Sequence, residues 1–235
     1  MNWIQEKIIQ GGLVDNISVI IRCRDEEQWI GHSIQSVIDN FDKPEIIIVD
    51  NNSKDESIDI VRMFKKDKSL NNGGNYTDIK MYNINEYSPG KSLNFGVKKC
   101  SNDYVLILSA HSQIIQCNFD EIKKLLDKHC VVWGKQIPIY RGKKITPRYV
   151  WSNFKDIDKI NYFCKSENRY FLHNAFSFYK KQILIDNPFD ENLVGKEDRY
   201  WVNDRVKNEL TSFYNSKLIC NHYYTNNGAT WKGVG

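Results

Sequence analysis

Two short aliphatic segments near the start of the chain decide the fold. Ile17–Cys23 reads ISVIIRC and Glu45–Asp50 reads EIIIVD. Both are rich in β-branched residues and are apolar on both faces, which is typical of strands buried inside a parallel sheet. Between them, apolar residues recur at helical spacing from Trp29 to Ile38. A strand, a helix and a second strand in this order predict a right-handed crossover in a parallel sheet.

The same alternation continues toward the middle of the chain. Ser53 is the expected N-cap of a second helix, with Glu56 at the capping-box position. The pattern then predicts a third strand at Ile79–Tyr82, a helix from Pro89 to about Lys99, and a fourth strand at Tyr104–Leu108. After about residue 130, aromatic residues become dense and the alternation weakens. We therefore expect one domain whose two halves differ in role.

The composition is that of an ordinary globular protein. Of the 235 residues, 41% are hydrophobic and 26% are charged, a balance that excludes disorder. The net charge of +4 is too small to indicate nucleic acid binding. The six cysteines form no CxxC pair, and the sequence shows neither a secretory signal nor a stretch of about 20 apolar residues. These features favour the cytoplasm, and the amphipathic segment Met1–Gln10 leaves peripheral membrane contact open.

Polar residues at the ends of the predicted strands are the first candidates for a binding site, because ligands bind outside the carboxyl ends of parallel strands. They are Arg24 and Asp25 after the first strand, Asp50 and Asn52 after the second, and His111 after the fourth. No G-x-G-x-x-G follows the first strand, which disfavours a dinucleotide-binding domain. The sequence contains no G-x-x-x-x-G-K-[ST], which excludes a P-loop.

The order of these motifs resembles that of the inverting family 2 glycosyltransferases. The match comprises the polar turn Arg22–Asp25, the segment Asp50–Asp55 and the Asn-x-Gly sequence within Pro89–Gly96. It covers about residues 17–112 and returns around 171–205. The resemblance implies an α/β GT-A fold with a mainly parallel central sheet flanked by helices. It also implies a single domain over residues 1–235, with a nucleotide-binding half at about 17–130 and an acceptor-binding half at about 131–235.

By the same resemblance, the chain is a glycosyltransferase that moves a sugar from a nucleotide-sugar donor to an acceptor hydroxyl with inversion, in polysaccharide or glycan biosynthesis. Its partners would be that donor and a glycan or lipid-linked acceptor, and not nucleic acid. Asp50 would accept a hydrogen bond from the base, and Lys91 would meet a phosphate or the base edge; the alternatives are a turn carboxylate and a solvated lysine. The other implied donor-binding residues are Arg22, Arg24, Asp25, Asn52, Ser109, His111, His173 and Asn174.

One departure from the family pattern concerns a metal ion. In the family, the fourth strand ends in Asp-x-Asp, whose carboxylates hold a divalent ion on the diphosphate; here it ends in Ser109-Ala110-His111. His111 and His222 are then the implied metal ligands. Imidazole suits manganese, whereas magnesium prefers oxygen ligands. The sequence leaves two alternatives open, namely a Mn²⁺ or Mg²⁺ site and a metal-independent reaction in which His111 contacts the phosphate.

The acidic pair Glu197-Asp198 resembles the family's pair at the start of a helix. An inverting transfer needs a general base beside the acceptor hydroxyl. The resemblance assigns this role to Asp198, with Glu197 in support. A helix N-terminus favours the ionised carboxylate that a base requires. The alternative is a pair of ordinary first-turn acids.

Two other functions compete with this interpretation. A sugar-phosphate nucleotidyltransferase should carry a glycine-rich phosphate loop after the first strand, and Arg22–Asp25 contains no glycine. A non-catalytic nucleotide- or sugar-binding module would explain the loss of Asp-x-Asp. Such a module has no need of the pair Glu197-Asp198, which therefore argues for an enzyme.

Overall fold

A computed structural model describes residues 15–66, 78–144 and 155–225. Within these ranges the helices are α1 (Ile30–Asn40), α2 (Ser57–Lys66), α3 (Pro89–Lys99), α4 (Phe119–Leu126), α5 (Lys181–Asp186) and α6 (Glu197–Lys207). The strands are β1 (Ile17–Cys23), β2 (Glu45–Asp50), β3 (Asp78–Asn83), β4 (Tyr104–Ser109), β5 (Ser112–Gln116), β6 (Val131–Tyr140), β7 (Lys143–Lys144), β8 (Lys159–Ile160), β9 (Phe163–Cys164), β10 (Arg169–Tyr170), β11 (Phe176–Lys180) and β12 (Ser212–Tyr223). The amphipathic segment Met1–Gln10 lies outside the described residues.

The first four strands form the predicted parallel sheet, in the order β3-β2-β1-β4. β2 is buried along its whole length and β1 at every position except Arg22. The register places Cys23 beside Asp50 on β2 and Arg22 beside Ser109 on β4. The carboxyl ends of β1, β2 and β4 therefore meet at one edge of the sheet. The predicted strands and helices of this half are confirmed.

Beyond β4, the sheet continues as β11-β6-β12-β5 with mixed directions. β11 runs antiparallel to both β4 and β6, and β12 is parallel to β6 but antiparallel to β5. Because these neighbours come from distant parts of the chain, the strand–helix alternation seen in the first half is lost. One continuous sheet thus joins both halves, and the α/β fold with a mainly parallel sheet flanked by helices is confirmed.

The core lies on both faces of this sheet. Val19 and Ile21 of β1 point into a cluster covered by α1, α2 and α4, and Ile20 points into a second cluster covered by α3, α5 and α6. Alternate residues of a strand face opposite sides of the sheet, so a strand buried on both faces must be apolar at every position. This requirement explains the unbroken aliphatic runs that identified β1 and β2.

The Asn-x-Gly sequence of α3 fixes how this helix packs. The side chain of Asn94 accepts a hydrogen bond from the backbone N–H of Phe189 and donates one to the carbonyl of the same residue, at 3.0 and 2.9 Å. A Cβ added to Gly96 would lie 2.7 Å from Ile20, and one added to Gly90 would lie 2.3 Å from the carbonyl oxygen of Asp190. The motif therefore allows α3 to approach both β1 and the loop before α6.

The predicted N-cap at Ser53 is wrong. α2 begins at Ser57, where the carboxylate of Asp55 accepts hydrogen bonds from the backbone N–H and the hydroxyl group of Ser57. Ser53 instead donates its hydroxyl proton to Asp50 at 2.5 Å and accepts the N–H of Asp25 at 3.0 Å. Its short polar side chain joins two strand ends, which a local capping rule does not anticipate.

All six cysteines are free thiols. In the described part of the chain, none of the helices combines the length and the apolar character needed to cross a membrane.

Candidate active site

A cleft of about 560 Å³ opens at the carboxyl edge of β1 and β4, opposite the first turn of α6. Many of the residues expected at the site line it together, namely Arg22, Arg24, Ser109, His111, His173, Asn174, Glu197 and Asp198. Residues of both halves contribute, because β11 places the segment 173–175 beside β4. The structure thus brings the strand ends and the acidic pair together in one cleft.

Arg22 connects the end of β1 to the start of α6. Its Nη1 donates hydrogen bonds to Glu197 Oε1 at 3.2 Å and to the carbonyl oxygen of Pro89 at 3.3 Å. Burial opposes the charged guanidinium, but the nearby Glu197, Tyr87 and Asp198 outweigh this effect and raise the pKa of Arg22. The arginine is therefore charged throughout the physiological range and forms an ion pair with Glu197.

Asp198 is buried at the floor of the cleft beside this ion pair. Its Oδ2 accepts the backbone N–H of Asn174 at 3.0 Å, and its Oδ1 accepts that of Arg199 at 2.8 Å. Burial, followed by the adjacent charge of Glu197, raises the pKa of Asp198 from 3.8 to about 7, against the opposing effects of Arg199 and the two N–H groups. A carboxylate with a pKa near neutrality can take up and release a proton at physiological pH, as a general base must.

His111 lies at the end of β4 and is oriented by a carboxylate that the sequence analysis missed. Its Nδ1 donates to Oε1 of the buried Glu26 at 2.9 Å. The hydroxyl oxygen of Ser109 lies 3.2 Å from Nε2 and 3.4 Å from Nδ1 of the same ring. Since Nδ1 carries the proton in the bond to Glu26, Nε2 is the nitrogen left for a ligand. Glu26 is one of four consecutive charged residues, and nothing in the sequence distinguished it from its neighbours.

His173 and His222 belong to a buried network centred on Gln136, a second residue that the sequence analysis missed. Nδ1 of His173 accepts the backbone N–H of Ala175 at 3.3 Å and the amide of Gln136 at 3.0 Å. The Gln136 carbonyl then accepts the Nδ1 proton of His222 at 2.8 Å. Burial, with nearby positive groups, holds the pKa of both imidazoles well below the usual value. Both rings are therefore neutral at physiological pH.

Four residues expected to bind the donor lie outside the lining of the cleft: Asp25, Asp50, Asn52 and Lys91. Asp50 accepts hydrogen bonds from Ser53 and from the amide of Asn83, at 3.3 Å for the latter. Lys91 forms an exposed ion pair with Glu86 at 2.6 Å. Asp50 sits at the strand edge next to Cys23, whereas Lys91 faces solvent.

The side chains around His111 do not fit a divalent ion. Within residues 15–66, 78–144 and 155–225, no group of three or more His, Cys, Asp or Glu side chains is placed to hold a metal. Oε1 of Glu26 contacts Nδ1 of His111 rather than Nε2. His222 is completely buried behind His111, its ring stacked at 4.8 Å between centroids. A single imidazole is a poor site for a hard cation.

Charged residues of both signs meet at the start of α6. Lys196 and Arg199 both line the cleft and both approach Glu167, at 3.7 and 2.5 Å. Arg169 lies 3.8 Å from the same carboxylate. Because Glu197 and Asp198 line the same wall, three carboxylates stand against these three cations.

The family model of glycosyl transferase family 2 matches residues 18–187, which is most of the chain. The chain belongs to this family.

Among curated members of the family, poly-beta-1,6-N-acetyl-D-glucosamine synthase of Staphylococcus epidermidis is 31% identical over 104 residues, which are 43% of this chain and 23% of that protein. The GalNAc(5)-diNAcBac-PP-undecaprenol beta-1,3-glucosyltransferase of Campylobacter jejuni is 23% identical over 80% of this chain and 59% of its own. This family 2 chain therefore spans a quarter to three fifths of the length of these relatives.

Solved structures show the same fold. The crystal structure of S. aureus TarS 1-349 in complex with UDP-GlcNAc superimposes with a TM-score of 0.66 at 20% identity, covering 93% of this chain and 61% of the TarS 1-349 chain. GalNAc-T7 with UDP, GalNAc and Mn²⁺ gives a TM-score of 0.65 at 15% identity, covering 93% and 45%. At these identities the likeness establishes the GT-A fold of this family 2 member and nothing finer.

Proposed function

We propose that the chain transfers a sugar from a nucleotide-sugar donor to an acceptor hydroxyl with inversion at the anomeric carbon. The observation that carries this proposal is Asp198, a buried carboxylate of raised pKa in a cleft that also contains the ends of β1 and β4. The acceptor oxygen attacks the anomeric carbon and its proton passes to Asp198. The bond between that carbon and the phosphate oxygen breaks, and the nucleotide leaves with the electron pair.

The two halves of the chain are proposed to bind different substrates. Residues of about 17–130 bind the nucleotide and residues of about 131–235 bind the acceptor. Arg22, Arg24, Ser109 and His111 face the donor phosphates, and His173 and Asn174 lie under the donor sugar. Asp50, with Asp25 and Asn52 at the same strand edge, is the proposed contact for the base. The ion pair with Arg22 holds Glu197 beside Asp198.

UDP-linked N-acetylhexosamines are the first donors to test, because UDP-GlcNAc is bound to TarS and the S. epidermidis relative is a poly-N-acetylglucosamine synthase. The acceptor is proposed to be a glycan or lipid-linked hydroxyl, in polysaccharide or glycan biosynthesis. A cytoplasmic location with peripheral membrane contact through Met1–Gln10 is part of the same proposal.

The competing functions lack a comparable observation. A sugar-phosphate nucleotidyltransferase has no use for a general base of neutral pKa, and the turn after β1 contains no glycine. A binding module would gain stability by replacing Asp198 with a neutral residue, since burial of its charge is unfavourable. The retained carboxylate therefore favours catalysis.

Calorimetry against UDP-, GDP-, dTDP- and CMP-linked sugars tests the donor, and release of the free nucleotide with a glycan acceptor tests the transfer. We expect one nucleotide class to bind and Asp198→Asn to bind it normally while losing turnover. Asp204→Asn, an exposed substitution on the same helix, serves as the control and should retain turnover. Absence of binding by every nucleotide class would refute the proposed function.

A further inference from the structure

Two arginines at the end of β1, Arg22 and Arg24, line the same cleft as Ser109 and His111, which stand in place of the two carboxylates of Asp-x-Asp at the end of β4. In the parallel register, Arg22 lies directly beside Ser109. Arg24 follows two residues later, and both arginines line the cleft together with Ser109 and His111. An Arg-x-Arg sequence at the end of β1 thus accompanies a Ser-x-His sequence at the end of β4. Carboxylates at positions 109 and 111 would stand next to these guanidinium groups and would neutralise them.

The two arginines differ in how far their charges are compensated. Arg22 shares its Nη1 with Glu197 and with a backbone carbonyl, and its side chain keeps 27% exposure. Arg24 is exposed, and no ion pair involving it occurs in the described residues. Asp25, the next residue in sequence, accepts the backbone N–H of Lys54 at 2.7 Å, and Glu26 contacts His111. Arg24 is therefore an exposed cation in the lining of the cleft.

Guanidinium is well matched to phosphate, because its planar donors form paired hydrogen bonds with two phosphate oxygens and its charge persists at every physiological pH. A divalent ion, by contrast, finds no carboxylate ligand beside Nε2 of His111. The anion of the leaving group can be stabilised by preorganised cations in place of a metal.

We propose that Arg24, together with Arg22, stabilises the leaving phosphates of the donor, and that the transfer requires no divalent ion. The inference rests on the proposed function. As the glycosidic carbon–oxygen bond breaks, the electron pair goes to the phosphate oxygen, and the new negative charge is met by the guanidinium groups of β1. The proton of the acceptor hydroxyl goes to Asp198, so charge and protons balance without a metal ion.

The test is calorimetry of UDP binding to the full chain, once with EDTA and once with Mn²⁺. We expect the two dissociation constants to agree within about threefold. In EDTA, Arg24→Ala should weaken binding by about tenfold or more, consistent with the loss of a charge-assisted hydrogen bond. Arg24→Lys should recover part of this loss. Arg62→Ala is the matched control, because Arg62 is an exposed arginine on α2, paired with Asp59, and it should bind UDP normally.

Binding of UDP only in the presence of Mn²⁺ would overturn the inference while leaving the proposed function intact. The same holds if Arg24→Ala binds UDP as tightly as the unmodified chain in EDTA. If UDP does not bind under either condition, GDP, dTDP and CMP are measured in the same way. Failure of all four removes both the proposed function and this inference.

Discussion

Replacing Asp198 with asparagine should separate stability from activity in this protein. The carboxylate is buried and its two oxygens accept the N–H groups of Asn174 and Arg199. Asparagine has nearly the same shape, carries no charge and retains one acceptor oxygen for these two donors. The variant therefore removes both the base and the unfavourable buried charge.

The magnitude follows from the raised pKa of Asp198. Raising it from 3.8 to about 7 corresponds to roughly 4 kcal/mol of unfavourable free energy for the ionised form, at about 1.4 kcal/mol per pKa unit. Because the folded-state pKa is the higher one, the stability contributed by protonated Asp198 is fully present below pH 3.8. It is lost as the pH rises through about 7. The asparagine variant escapes this loss but leaves one N–H poorly paired, which costs about 1–3 kcal/mol.

Urea unfolding at pH 5 and pH 8 measures the effect. We compare the unfolding free energy of Asp198→Asn with that of the unmodified chain at each pH. This difference should shift in favour of the variant by about 2–3 kcal/mol from pH 5 to pH 8. Its turnover should fall by about 100-fold or more, as for loss of a general base. Asp204→Asn is exposed on the same helix. Its difference in unfolding free energy from the unmodified chain should be the same at both pH values within about 0.5 kcal/mol. A stability difference for Asp198→Asn that does not change with pH would refute the assignment of a buried, perturbed carboxylate.

Three shorter predictions concern the cleft and its supports. The kcat/KM of the unmodified chain should rise about tenfold per pH unit up to pH ~7 and then level off as Asp198 ionises; a flat profile from pH 5 to 8 contradicts this. In urea unfolding, Gly90→Ala should lose about 1–3 kcal/mol of stability because its Cβ meets backbone, whereas Gly195→Ala, in open space, should lose none. Gln136→Leu should lower the free energy of unfolding by about 1–3 kcal/mol, because the buried hydrogen bonds of Gln136 are lost. An equal decrease in the exposed variant Gln182→Leu would contradict this explanation.

The first half of the fold was predictable because its evidence is local. A strand buried on both faces, such as β1 or β2, must be aliphatic at each position, and each is followed by a helix that covers it. The second half has no such signal. β11 lies between β4 and β6, and β12 pairs with β6 and β5. These partners are distant in the chain, so their pairing cannot be read from short patterns.

The site was predictable to the extent that it depends on strand ends. Arg24 and His111 were found because the carboxyl ends of parallel strands meet, whereas Arg22 and Ser109 followed from the family resemblance. Glu26 was missed because its position depends on the turn at Asp25, whose backbone is left-handed with φ 53°. Such a turn redirects the chain without a strong sequence signal when glycine is absent. Gln136 was missed because it lies within a strand of the unpredicted half.

Arg22 explains why the two halves of the chain must come together for the base to work. Its ion pair with Glu197 joins residues 175 positions apart. The charge of Glu197 is the second cause of the raised pKa of Asp198, after burial. A base made by α6 alone would be exposed and would have the ordinary acidity of aspartic acid, too weak for proton removal at neutral pH. The strength of the base is therefore a property of the contact between β1 and α6, which no motif within either segment encodes.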